Sequence, residues 1–205
     1  MYSVKKNLNR RTNDEKIGIV IGLLLLFVVA GILLTLKRGE TTISLKQSWT
    51  LSSKSIKTLE FYGSKQAIDV KVVKSESDET SVQIEGKVSE ESANNISKNV
   101  KMSSDSLYLP FSQHGFNLAL SSEGKDKLYV TISLGKNATF EKIFIDTLVG
   151  DVSITVPQDF DGIYTLHTNN TGEILRVPTT NQTSNSVIEV DGYSKISVEK
   201  GEKNG

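Results

Sequence analysis

A chain of 205 residues with no cysteine and 24 basic against 24 acidic side chains has no disulfide framework and no bulk attraction for nucleic acid. The formal neutrality hides a segregation. Residues 1–38 hold seven basic groups (Lys5, Lys6, Arg10, Arg11, Lys16, Lys37, Arg38) against Asp14 and Glu15, which leaves the remainder at −5. No nucleic-acid partner is expected for a mildly acidic domain.

Residues 17–36, IGIVIGLLLLFVVAGILLTL, are an uncharged run of 20. As a helix it would be about 30 Å long, the thickness of one hydrocarbon core. An uncleaved transmembrane helix is expected. A signal peptide would have a shorter apolar region, about 7–15 residues, followed by an A-x-A-like site; Ala30 and Gly31 do not supply that arrangement. Five basic residues precede the span and three follow it closely (Lys37, Arg38, Lys46). That bias puts residues 1–16 in the cytoplasm as a polar tail and the C-terminal part outside, anchored in the lipid bilayer of the cell membrane by a single pass. Gly18 and Gly22 form GxxxG, a spacing through which two such helices could dimerise, although glycine is common in membrane helices anyway.

Residues 37–54 are polar and Ser/Thr-rich and read as a stalk, with a first edge strand carrying Trp49 as the other reading. Period-2 alternation then dominates: Leu59/Phe61, Ile68/Val70/Val72, Val82/Ile84, Leu107/Leu109/Phe111, Phe116/Leu118/Leu120 and Leu128/Val130/Ile132/Leu134. Each such run puts one strand face in a core and the other in water. Turn signals separate them, SESDET (75–80) and SSEGKDK (121–127) among them. Residues 89–100 break the pattern: Ala93, Ile96 and Val100 recur at helical spacing behind Ser89, a good N-cap, and a short helix is predicted there.

From 140 onward a phrase repeats. VGDVSITVP (149–157) is echoed by TGEILRVP (171–178), and Gly150, Gly172 and Gly192 each sit between two short apolar alternations. A period near 20 residues signals a repeat architecture. The expected fold class is all-β, a β-solenoid or β-helix-like exported domain over 55–199 behind one N-terminal transmembrane helix, with a β-sandwich as the alternative. Glycine at each corner would supply φ > 0, the following Asp151 or Glu173 would stay solvated, and the polar tail EKGEKNG (199–205) would cover the last rung.

The phrase IFIDTLVGDVSITVP followed by YTLHTNNTGEI resembles the bacterial putative-adhesin domain family of unknown function. That family's pattern is a strand, T-x-x-G-D-[VI] and another strand, repeated with a T-x-x-G-[DE]-I partner. Thr168–Ile174 carries one extra residue before its glycine, and IKTLEFYGSKQAIDVKVV is similar to the family's opening strands. The resemblance spans about residues 55–199. It implies a β-solenoid-like fold and membrane-anchored, LiaG-like relatives associated with envelope-stress systems of Gram-positive bacteria. It implies no established catalytic or binding residues, and none is carried over.

The two histidines, His114 and His167, have no partner at metal-ligand spacing and read as surface or strand-face residues. Asp159 and Asp161 in QDFDG have half the look of a calcium loop but lack its further acids and closing Glu, so an acidic turn is expected. Asn-x-Ser/Thr triplets at Asn95, Asn137, Asn169 and Asn181 are what chance supplies in so Ser/Thr/Asn-rich a chain. No P-loop, dinucleotide fingerprint or G-x-S-x-G elbow occurs. No catalytic, cofactor or metal residues are assigned, the binding residues stay unknown, and no cofactor is expected. The leading expectation is a non-enzymatic, extracytoplasmic binding, adhesion or envelope-stress accessory module that meets a cell-surface glycan or an envelope protein. The alternatives are a small polysaccharide-active β-helix enzyme, which would need two converging carboxylates, and a structural partner acting on a neighbouring membrane protein through residues 17–36.

Overall fold

The computed structural model describes residues 40–113, 126–169 and 171–201. Strands appear where apolar residues alternate. The first half contains β1 (Ile43–Leu51), β2 (Ser55–Ser64), β3 (Ile68–Lys74), β4 (Thr80–Val88), helix α1 (Glu90–Asn99), β5 (Lys101–Met102) and β6 (Ser106–Pro110). The second contains β7 (Leu128–Leu134), β8 (Thr139–Thr147), β9 (Val152–Val156), β10 (Ile163–Thr168), β11 (Glu173–Arg176), β12 (Val187–Gly192) and β13 (Lys195–Lys200). In α1, the Ser92 backbone N–H donates to the Ser89 hydroxyl at 3.2 Å, which satisfies one of the helix's orphan donors. Ile96 is buried, and Ala93 and Val100 pack against the core.

The strands form two mixed sheets. One has seven strands in the order β1-β4-β7-β3-β9-β13-β11, the other six in the order β10-β12-β8-β2-β6-β5. Leu59, Phe61, Leu109, Ile143, Ile145 and Val190 from the smaller sheet share one apolar core with Val70, Ile84, Val130, Ile132, Ile154 and Val198 from the larger. Burial of this kind, at roughly 25 cal/mol per Å² of apolar surface, is the main favourable contribution to the fold.

This architecture corrects the solenoid expectation. Four strand–corner–strand units, β2/β3, β8/β9, β12/β13 and β10/β11, each send one strand to each sheet, and like strands run parallel. Their spatial order is not their chain order. The β10/β11 unit lies outermost, and β12/β13 returns to fill the slot between it and β8/β9. A solenoid adds each coil to the one before; this chain steps over a position and comes back. The larger sheet also carries antiparallel ladders, β1 with β4 and β4 with β7, which no single-handed coil contains. Alternation reports which face a side chain takes but not which strand lies next to which.

The repeat is also placed differently. Val152, Ile174 and Ile196 occupy one position across the stack and are 22 residues apart each time. Two residues before them stand Gly150, Gly172 and Ser194, so Ser194 is the third corner residue. Gly192 pairs instead with Thr147 and Thr168. Only Gly150 of the three expected glycines has a positive φ, +105°. A Cβ there would lie 2.5 Å from the Gln66 carbonyl carbon, and one at Gly172 would lie 2.7 Å from the Ser194 oxygen. The glycines let neighbouring corners stack backbone on backbone. Asp151 is exposed, and its carboxylate accepts a hydrogen bond from the Lys195 N–H at 3.1 Å, tying two corners together.

The expected stalk over 37–54 gives way to the edge-strand reading across Ile43–Leu51, where β1 buries Leu45 and Leu51 and rests Trp49 on the core. The C-terminal unit is not the end of the stack: Glu199 and Lys200, the start of the expected cap, belong to β13, which lies between β9 and β11. Among the described residues no helix is long and apolar enough to cross a membrane. The expected span at 17–36, the tail at 1–16, the Gly18/Gly22 pair, the Phe116–Leu120 alternation, His114 and residues 202–205 lie outside the described residues.

Candidate binding face

Strand pairing turns scattered sequence positions into rows. On the outer face of the six-stranded sheet, pairing of β10, β12, β8, β2, β6 and β5 aligns Thr165, Glu189, Phe144, Glu60, Tyr108 and Lys101 in one line. The neighbouring row carries His167, Asp191 and Asp146, with Tyr62 two residues on from Glu60. These outward positions alternate with buried Leu59, Phe61, Leu107, Leu109, Ile143 and Ile145, so the rigid core fixes their direction.

Three aromatic rings therefore stand on a face where alternation calls for polar residues. The Tyr62 and Tyr108 rings are 6.3 Å apart, tilted by 31°. The Lys101 ammonium lies 5.7 Å from the Tyr108 ring centre, and the Lys142 ammonium 4.9 Å from that of Phe144. Lys142 also pairs with Glu189 at 2.9 Å. Such cation–aromatic contacts hold the long lysine stems flat on the sheet. The Asp146 carboxylate accepts from the Gly63 N–H at 3.0 Å, which fixes it beside the tyrosines.

The electrostatics follow from this grouping. Burial pushes the Tyr62 phenol up from its ordinary value, and the charges of Asp146 and Glu60 push it further. Tyr108 is raised likewise, by burial first and then by Glu60, Tyr62 and Asp146. Both phenols stay protonated at neutral pH and can donate, while the adjacent carboxylates can only accept. The face thus combines apolar rings, donors and acceptors, with the four carboxylates of Glu60, Asp146, Glu189 and Asp191 set against the two ammonium groups of Lys101 and Lys142.

Of the described residues singled out from the sequence, His167 lies on this face at its β10 edge and the others go elsewhere. His167 is exposed on β10, in register with Asp191. Asp159 forms an ion pair with Lys74, and Asp161 accepts from the Asn181 side chain at 2.8 Å, so each carboxylate of QDFDG has a protein partner. Among the described residues no three His, Cys, Asp or Glu side chains gather into a metal set. Asn95 is buried, donating to the Phe111 carbonyl at 3.2 Å, whereas Asn169 and Asn181 accept from Thr171 and Thr183 in local turns. Sequence reasoning missed Tyr62, Tyr108, Phe144 and Glu60. The signal that finds the three aromatics is a ring at the polar phase of an alternating strand, as Tyr108 stands between Leu107 and Leu109; Glu60 fits the ordinary polar phase and carries no such signal.

No family model matches the chain, and no curated protein matches it in sequence. Among solved structures it is similar to a putative cell adhesion protein from Clostridium sporogenes, at 12% identity and a TM-score of 0.29, over 77% of this chain and 100% of that one. It is also similar to a putative adhesin from Parabacteroides distasonis, at 14% identity and a TM-score of 0.37, over 75% of this chain and 56% of that one. A putative adhesin from Bacteroides fragilis matches at 10% identity and a TM-score of 0.24, over 77% of this chain and 97% of that one. Likenesses of this size carry no functional argument for this chain, and the face has to be read from its own residues.

Proposed function

We propose that this chain is a non-catalytic, membrane-anchored envelope protein whose exported β domain binds an extended cell-surface glycan across the outer face of the six-stranded sheet. The observation that supports the reading is the outward row holding Phe144, Glu60 and Tyr108, with Tyr62 and Asp146 beside it. A sugar ring offers an apolar face of C–H groups and a rim of hydroxyls. Rings of tyrosine and phenylalanine cover the first, and carboxylates and phenols engage the second. A flat, strand-borne surface suits a long polymer better than a small molecule, which needs concavity to be enclosed. Anchoring rests on the apolar run at 17–36 and its flanking charges.

The test is co-sedimentation of the detergent-solubilised full chain with purified, protein-free cell-wall polysaccharide. The wild-type chain should pellet with the polymer, and Tyr108→Ala should lose at least about tenfold in affinity, the usual effect of truncating an aromatic anchor. Absence of pelleting by the wild type, or full retention by Tyr108→Ala and Tyr62→Ala together, would overturn the assignment.

A further inference from the structure

The two sheets end on the same unit, β10/β11, but the two edges differ. Along β10, the following segment folds back over the strand. The Tyr164 N–H donates to the Thr180 hydroxyl at 3.2 Å, the Asn181 N–H donates to the Gly162 carbonyl at 3.1 Å, and the Thr180 hydroxyl donates to the same carbonyl at 3.3 Å. Edge β11 has no such cover among the described residues: it pairs with β13 on one side and with no strand on the other. All four of its residues are exposed, with Ile174 at 44% and Leu175 at 49%, and Val177 just beyond it at 45%. A strand edge with apolar side chains is a template for another strand.

The order of residues says which strand. β11 reads Glu173, Ile174, Leu175, Arg176: an acid, two apolar residues, a base. Two copies placed antiparallel about an axis between Ile174 and Leu175 bring each Glu173 opposite the other copy's Arg176 and each Ile174 opposite the other's Leu175. The pattern is complementary to itself. The irregularity in the β11–β13 register falls between Ile174 and Arg176, so the apolar pair is grouped while the two charges stay on the outer face with Lys195 and Ser197. Arg176 is held only loosely at home, 3.9 Å from Glu199 with both side chains largely exposed, and can re-pair at little cost.

We propose that β11 is a homotypic pairing edge through which two copies of this chain join their larger sheets antiparallel, with Glu173 facing Arg176 on each side of the two-fold axis. Such an interface is isologous and closes on itself, and Pro178 ends the run before the pairing can extend further.

The chain has no cysteine, so introduced cysteines report cleanly. Residues directly opposite in an antiparallel pair have Cα atoms about 4.5–5.5 Å apart, within disulfide range. Glu173 and its own copy would be offset by about 10 Å and could not be bridged. Under mild oxidation, the full chain carrying Glu173→Cys with Arg176→Cys should form a covalent dimer, and each single variant should not. Sedimentation should show the dimer weakened roughly 5- to 30-fold by Glu173→Lys or by Arg176→Glu, and restored when both are present, since each reversal sets two like-charge contacts against each other. Unchanged far-ultraviolet circular dichroism establishes that each variant is folded. A double-cysteine chain that stays monomeric, single variants that cross-link equally well, or a charge swap that fails to restore association would each overturn the proposal.

Discussion

The two outer faces of this molecule are built by the same rule and carry different chemistry. On the seven-stranded sheet, pairing aligns Lys46, Glu85, Tyr129, Asp69, Ser153 and Ser197, and beside them Ser48, Gln83, Thr131, Lys71, Thr155 and Glu199. That face is a field of small hydroxyls and surface ion pairs, such as Lys46–Glu85 at 2.9 Å, with Tyr129 its one exposed aromatic among the described residues. On the six-stranded sheet three aromatic rings share the outward rows with carboxylates, the Tyr62 and Tyr108 rings 6.3 Å apart and Phe144 in line with Glu60 and Tyr108. The strand scaffold fixes where side chains point, and residue choice at the outward phase alone decides what chemistry a face offers.

The largest effect should come from beneath both faces. Phe61 is 1% exposed and lies in the shared core, so Phe61→Ala should cost about 3–5 kcal/mol in denaturant unfolding and take both faces with it. Gly150→Ala comes next. It forces a Cβ to within 2.5 Å of the Gln66 backbone at a φ of +105°, and should lower stability by about 1–3 kcal/mol. If it were neutral, the stacked corners would not be under the constraint described. Tyr129→Ala sharpens the contrast between the faces. It should leave stability within about 0.5 kcal/mol and glycan binding unchanged, and a loss of binding would move the site to the larger sheet.

Much of this was open to reading in the residues, for definable reasons. Alternation at 128–134 and 152–156 marks strands because each inward residue must find apolar neighbours. Ser89 announces α1 because a hydroxyl there caps a free N–H. The stacking order was not open to reading, since nothing in GDVSITV or GEILRVP states which unit lies beside which. The glycine spacing misled at Gly192, because its value there is close packing against Ile196 and Thr147, each 3.3 Å from a would-be Cβ. The candidate face was hidden because Glu60 and Tyr62, Tyr108, and Phe144 and Asp146 come from three separate strands, β2, β6 and β8, and meet only through pairing register.

The smallest effect concerns pH at the rim of the six-stranded sheet. The Asp105 carboxylate is held at about 2, below the ordinary 3.8, first by the Ser103 hydroxyl and then by Lys57 and Ser106. A depressed folded-state pKa means that its contribution is present above about pH 4 and lost as the pH falls through about 2. Thermal unfolding at pH 5 and pH 2 should differ slightly less in Asp105→Asn than in the parent, and an identical pH response would remove Asp105 from the account.

Oxidative footprinting of the tyrosines, with and without purified wall polysaccharide, tests the central claim most directly. The account predicts that the polymer shields Tyr62 and Tyr108 while Tyr129 and Tyr193 keep their reactivity. Shielding of Tyr129 alone, or equal reactivity of all four in the presence of bound polymer, would contradict it.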